Sequence, residues 1–295
     1  MNMTILGPGA IGSLWACYLD KAGHNVSLWL RDGKEQATLI LDNDSSSPSH
    51  FPCNQIDDLK QCDLLLITVK AWQVESALLP LLPHLAKETI FLFMHNGMGA
   101  LEPLQQQLSS YPVLLATTTH GAFKSDSVHV QHTGKGTTSI GHFNSLGGKC
   151  QFLVEVLNHA LPQVDWSENI NQTLWKKLAI NCAINPLSAI NNGKNGALAA
   201  QEFQPILEKI CQEVALVANA ESVPLSALEL QRSVSDVIMK TASNHSSMQQ
   251  DIHHRRKSEI DFITGYLLQK AKRHNIEVPE NLALYHKIKQ LEGES

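Results

Sequence analysis

Lys177, Asn181 and Asn185 recur every four residues through WKKLAINCAINPL (175 to 187), a stretch that is otherwise almost wholly apolar. At ~100° per residue they fall within about 80° of one another, so a helix here carries a single polar stripe on a surface composed for burial. Buried amides need hydrogen-bonding partners, and an ammonium group in a low dielectric gives up its proton more readily, which suits it to proton donation near neutrality. Two readings stay open: a polar network that joins helices, or a stripe that faces a ligand. Pro186 marks either the end of the segment or a kink. Lys176 points about 100° away from Lys177 and is expected to be a supporting or surface charge.

A second polar constellation lies in SNHSSMQQDIHHRRKSEIDF (243 to 262). Taken as part of one helix over 245 to 273, Asn244, Ser247 and Asp251 share a face at i, i+3 and i+7, and Glu259 follows two turns beyond Asp251. Helix capping and solvent exposure also account for such residues. The basic run HHRRK (253 to 257) reads as a solvated helix face.

The third constellation is a loop. GPGAIG, comprising Gly7, Pro8, Gly9, Ala10, Ile11 and Gly12, closes a predicted strand and opens a predicted helix at the start of a β-α-β unit. The first glycine permits the tight turn, the second lets a pyrophosphate approach the backbone, and the third lets helix and strand pack closely. The next strand ends WLRDG. Arg31 favours a 2′-phosphate there, whereas Asp32 would favour a free ribose hydroxyl. Lys70, at the end of DLLLITVK, adds a second cation at a C-terminal strand end, and HNGMG places Asn96 after another strand, where an Asn-Gly turn is the alternative.

To position these residues the first half of the chain alternates short apolar runs with helical segments, the pattern of a parallel sheet covered on both faces. Strands are predicted at 3 to 7, 25 to 31, 63 to 70, 89 to 97 and 113 to 123. Helices are predicted at 10 to 22, 72 to 86, 99 to 108 and near 149 to 160, with further strands in VHVQHTG and TTSIGHF. DNDSSSPSHFP (42 to 52) reads as a loop. Beyond about 168 the texture becomes helical, at 171 to 192, 202 to 220, 225 to 242 and 245 to 273. The fold class is therefore α/β: a Rossmann-type doubly wound sheet (1 to 168) followed by an all-helical C-terminal domain (169 to 295).

The composition narrows the function. With 43% apolar residues the chain fills genuine cores, and a net charge of −5 with dispersed cations gives no broad electrostatic reason to bind nucleic acid or an anionic membrane. The six cysteines form no CxxC pair and no zinc spacing, so they are expected as reduced core thiols with no metal site. Nothing at MNMTILGPG resembles a signal peptide, and no apolar run reaches ~18 residues, so a cytoplasmic location is expected.

Together, GPGAIG, ITVKAWQV, HNGMG, TTTHGA, WKKLAINCAINPLSA and SSMQQDIHHRRKSEIDFITG resemble, in this order and at these separations, the 2-dehydropantoate 2-reductase (ketopantoate reductase) family. The resemblance spans nearly the whole chain and implies NADPH-dependent reduction of 2-dehydropantoate, a keto acid, to (R)-pantoate in pantothenate biosynthesis. It implies that Lys177 is the proton donor, that Asn181, Asn185, Asn195, Asn244 and Ser247 hold the substrate, and that Asn96 lies where substrate and cofactor meet. Gly7 to Gly12, Arg31, Lys70, Ala122 through its backbone, and Glu259 near the nicotinamide ribose are the implied contacts of NADPH/NADP+. The alternatives are a reductase of another branched 2-keto acid and a non-catalytic dinucleotide sensor. Monomer and homodimer are both compatible with the sequence.

Overall fold

The computed structural model describes residues 1 to 42 and 48 to 293. The chain divides into two compact units, Met1–His95 with Ala100–Ile170, and Asn96–Gly99 with Asn171–Ser295.

The first unit contains β1 (Asn2–Leu6), α1 (Ala10–Lys21), β2 (Asn25–Trp29), β3 (Gln36–Leu41), β4 (Ser49–Pro52), α2 (Ile56–Lys60) and β5 (Leu64–Ile67). It continues through α3 (Val74–Leu78), β6 (Ile90–Phe93), β7 (Val113–Thr118), β8 (Gly121–Lys124), β9 (His129–Gly134), β10 (Thr138–His142), α4 (Leu153–Ala160) and β11 (Val164–Trp166). The main sheet has the order β11-β10-β7-β6-β5-β1-β2. Its β7-β6-β5-β1-β2 portion is parallel, and β10 runs antiparallel to β7. LLLI of β5 and IFLF of β6 are buried at every position, as strands covered on both faces must be. Leu6 is level with both Ile67 and Trp29, so the chain leaves β1, β5 and β2 at one common edge.

Several expected boundaries move. VLLATTTHGAF is two strands: after β7 the chain turns at Thr119 and buried His120, and β8 joins a second sheet of order β4-β3-β9-β8. Within the expected 42-to-52 loop, residues 43 to 47 lie outside the described residues. Ser49–Pro52 is strand β4, paired antiparallel with β3 and anchored by buried Phe51 opposite Ala37. The helices expected at 72 to 86 and 99 to 108 shrink to α3 and to short 3₁₀ turns, because Pro80, Pro83 and Pro103 interrupt them.

The second unit packs α5 (Ile170–Ile190), α6 (Gln204–Ala220), α7 (Ala227–Lys240), α8 (Ser247–His253), α9 (Thr264–Arg273) and α10 (Pro279–Leu291) around a core that includes Trp175, Cys182, Ile210, Val214, Leu267 and Ile288. α5 runs four residues beyond Pro186, so the proline does not end it. The helix expected over 245 to 273 is broken. Arg255 takes a left-handed φ of 53°, and the chain beyond α8 is drawn inward where the N–H of buried Ser258 donates to Glu292 Oε1 at 2.7 Å. Residues 254 to 257 of HHRRK are accordingly exposed but lie outside any helix. All six cysteines are free and buried. Among the described residues, no helix is long and apolar enough to cross a membrane.

Candidate active site

In the first unit the glycine loop sits at the common edge of β1, β2 and β5. Gly7 has φ +72°, and a Cβ there would collide with the Val69 side chain, while one on Gly12 would collide with the Thr68 hydroxyl. Gly9 has nothing within 4 Å of the position a Cβ would take. The loop is held from within: the Gly7 carbonyl accepts from Gly9 N at 2.7 Å and from Thr68 Oγ1 at 2.9 Å. α1 begins at Ala10 with no side-chain cap and no acidic residue in its first turn. Helix geometry leaves the N–H groups of Ala10, Ile11 and Gly12 without intrahelical partners, and the helix dipole is positive here. Beside the open face of Gly9, these groups fit a pyrophosphate.

Arg31 is exposed two residues beyond β2, and half-buried Lys70 follows β5, the strand on the other side of β1. Asp32 is engaged by Lys34, whose Nζ lies 2.9 Å from Oδ2; this contact holds the carboxyl below its usual range. Ala122 is in β8, opposite His132 at an irregularity of the ladder, and β8 packs against α1. The sequence-predicted cofactor residues of this unit therefore come from one sheet edge and from the strand that lies on its first helix.

In the second unit α5 presents its stripe as its periodicity predicts. Trp175, Leu178, Ala179, Cys182 and Ala183 are buried, Lys176 is exposed, Lys177 and Asn181 are half-buried, and Asn185 is buried. Burial pulls the Lys177 ammonium down to about 8, and the Glu259 carboxylate acts in the opposite direction. Glu259, 4% exposed, accepts a hydrogen bond from Asn96 Nδ2 at 3.4 Å. Asn96 reaches it because the segment 96 to 99 lies on the 3₁₀ turn Ile260–Phe262: Met98 N donates to Phe262 O at 2.8 Å. Gly97 and Gly99 have φ of +80° and +90°, and a Cβ on Gly97 would stand 2.5 Å from the Phe262 carbonyl. Residues 96, 177 and 259 are thus assembled from three remote stretches of chain.

Asn195 and Asn244 also meet, through a bond from Asn195 N to Asn244 O at 2.9 Å. Asn195 is buried, its Nδ2 donates to Thr241 Oγ1 at 2.9 Å, and its Oδ1 has no hydrogen-bonding partner among the described residues. Ser247 is the exposed first residue of α8, while Asp251 is buried with Arg256 Nε 3.3 Å away. The predicted face shared by Asn244, Ser247, Asp251 and Glu259 does not exist, because Asn244 precedes α8 and Glu259 follows the break. Sequence reasoning missed Ser246. It is buried, caps α8 by accepting from Gln249 N at 3.0 Å, and receives the Ser188 hydroxyl at 2.7 Å, so it ties α8 to the last turns of α5. The adjacent serines in SSMQQ are the only trace of it in the sequence: the first of a pair before a helix is the natural N-cap.

The family profile Ketopantoate reductase PanE/ApbA matches residues 3–145, and Ketopantoate reductase PanE/ApbA C terminal matches residues 169–292. The chain is 55% identical over 292 residues to the 2-dehydropantoate 2-reductase of Vibrio cholerae, covering 99% of this chain and 98% of that protein. It is 43% identical to the enzyme of the same name from Escherichia coli O157:H7, covering 100% and 96%. Among solved structures, a PanE/ApbA family ketopantoate reductase from Ralstonia eutropha JMP134 superposes with a TM-score of 0.87 at 27% identity, covering 100% of this chain and 99% of that one. D-mandelate dehydrogenase, solved with NADH and anilino(oxo)acetate, shares the fold with a TM-score of 0.88 at 22% identity, covering 99% of each chain. On the two profile matches, which together take in most of the chain, and on these relatives matched over nearly their whole length, the chain belongs to the ketopantoate reductase family.

Proposed function

We infer that this protein reduces 2-dehydropantoate to (R)-pantoate with NADPH, a cytoplasmic step of pantothenate biosynthesis. In this reading residues 1 to 168 bind the dinucleotide and residues 169 to 295 supply the substrate-binding and catalytic groups. The observation that carries it is the meeting of Lys177, on the polar stripe of α5, with the charge of a buried Glu259 that Asn96 engages at 3.4 Å. Full-length relatives named 2-dehydropantoate 2-reductase supply the substrate.

The dinucleotide, when bound, supplies a hydride to the C2 carbonyl carbon of the keto acid. The first-turn N–H groups of Ala10, Ile11 and Gly12 would hold its pyrophosphate, with Gly7, Pro8 and Gly9 shaping the turn that brings it close. Arg31 and Lys70 would pair with the adenosine 2′-phosphate, and the engagement of Asp32 by Lys34 would lessen its repulsion of that group. Ala122 would contact the cofactor through its backbone, and Glu259 would serve the nicotinamide ribose. As the C2 oxygen gains negative charge, Lys177 Nζ polarises it and gives it a proton, a contribution of about 10²- to 10⁴-fold. Solvent then reprotonates the lysine. Asn181 and Asn185, on the same stripe, with Asn195, Asn244 and Ser247, hold the substrate's carboxylate and hydroxyl groups. The unsatisfied Asn195 Oδ1 is a ready acceptor for a hydroxyl.

The test is NADPH consumption, followed by absorbance, with 2-dehydropantoate beside a panel of other branched 2-keto acids. The expected result is a kcat/KM for 2-dehydropantoate at least about 100-fold above the rest, since a site built to pair a substrate hydroxyl rejects analogues that lack it. Equal turnover of another keto acid would reassign the substrate, and NADPH binding without turnover of any would leave a sensor.

A further inference from the structure

Lys124 and Ser13 form a hydrogen-bonded chain onto the glycine loop that neither the motif nor the family resemblance includes. Lys124, half-buried near the end of β8, places Nζ 3.2 Å from Ser13 Oγ. A lysine ammonium can only donate, so the fully buried Ser13 hydroxyl accepts from it and passes its own hydrogen to the Pro8 carbonyl, 3.0 Å away. The Ser13 backbone N–H meanwhile donates to Gly9 O at 2.9 Å. One residue in the second turn of α1 thus fixes the two consecutive carbonyls that set the course of the backbone between Gly7 and Ala10, and a charge from another strand polarises it. The same ammonium brings positive charge to the N-terminal half of the helix whose first-turn N–H groups face the proposed phosphate position.

We propose that Lys124, acting through Ser13 on the Pro8 carbonyl, is a positioning residue that pre-forms the pyrophosphate-binding conformation of the glycine loop. This rests on the dinucleotide reading above. The contact reaches the loop that cradles the part common to NADPH and NADH, and not the 2′-phosphate end served by Arg31 and Lys70. Lys124 therefore acts on affinity for both dinucleotides alike and leaves their discrimination untouched. Its burial, which lowers the ammonium below its usual range, is consistent with a packed geometry and not a free surface lysine.

The experiment measures Kd for NADPH and NADH by fluorescence, and KM and kcat with 2-dehydropantoate, in the parent and in Lys124→Met, Lys124→Arg, Ser13→Ala and the Lys124→Met/Ser13→Ala double variant. Losing a charge-assisted hydrogen bond is expected to weaken both dinucleotides about five- to tenfold by the same factor, with kcat at saturation within about twofold. Lys124→Arg recovers most of the loss, and Lys124→Met adds little to Ser13→Ala, because without the hydroxyl the ammonium has no path to the Pro8 carbonyl. An unchanged Kd, a loss confined to NADPH, or additive losses would overturn the proposal. A parent that binds NADPH but reduces no keto acid defeats the proposed function while leaving this inference standing, and a parent that binds neither dinucleotide defeats both.

Discussion

Lys177 sits on an apolar helix within the electrostatic reach of the buried Glu259 carboxylate, and both its protonation state and its proposed chemistry follow from that. Its proton is held below about pH 8 and lost above it, since burial has moved the group down from its ordinary value near 10.5. A step that needs the protonated donor therefore slows as pH rises through about 8, and kcat should fall about tenfold per unit above that point. Glu259 raises the Lys177 value, so Glu259→Gln should shift this alkaline limb to lower pH, a displacement that pH profiles of kcat read directly. If the limb stays in place, Glu259 does not tune the lysine. The stripe of Lys177, Asn181 and Asn185 was legible in the sequence because all three belong to one continuous helix, where spacing fixes direction. Glu259 reaches Lys177 by a route that spacing cannot reveal: α8 ends at His253, and the intervening residues are pulled in by Glu292, the residue that follows α10. Ser13 was equally hidden, since its contact with Lys124 spans 111 residues.

Elements bring these residues to their places through a few polar ties between helices and turns. Glu213 of α6 is buried and accepts from Glu280 N, Asn281 N and Asn281 Nδ2 at 2.9, 3.0 and 2.7 Å, so it caps the start of α10 from outside that helix. Glu213→Ala leaves those donors unsatisfied and should cost about 3 kcal/mol, which thermal unfolding would record as a Tm lower by about 10 °C. An unchanged Tm would show that the cap is dispensable. Gly97→Ala forces a side chain at φ +80° against the Phe262 carbonyl, so it should detach Asn96 from Glu259 and lower kcat by more than tenfold while the protein stays folded. A circular dichroism spectrum with activity near the parent's would contradict that. Strands β5 and β6 were legible because strands buried on both faces spell unbroken apolar runs. β3, β4 and the turn between β7 and β8 were not, because they depend on pairing with distant partners in the second sheet and carry little alternation of their own.

At the scale of the whole molecule the two units have separate cores, one built around the main sheet and one around α5, α6 and α9. The glycine loop, Arg31 and Lys70 belong to the first unit, and Lys177, Glu259 and Asn96 to the second. A ligand that binds the folded chain alone stabilises it by mass action, about 2.7 kcal/mol at 100 times its Kd. NADPH should therefore raise Tm by several degrees, and NADH at equal concentration by less. Equal shifts would remove Arg31 and Lys70 from the 2′-phosphate. The most direct measurement of the central claim is kcat against pH, at saturating NADPH and 2-dehydropantoate, for the parent and Lys177→Ala, with NADPH affinity measured alongside. Lys177→Ala should lose at least about 100-fold in kcat, keep its NADPH affinity, and lose the parent's alkaline limb near pH 8. A Lys177→Ala enzyme that turns over within a few-fold of the parent and keeps that limb would contradict the central claim.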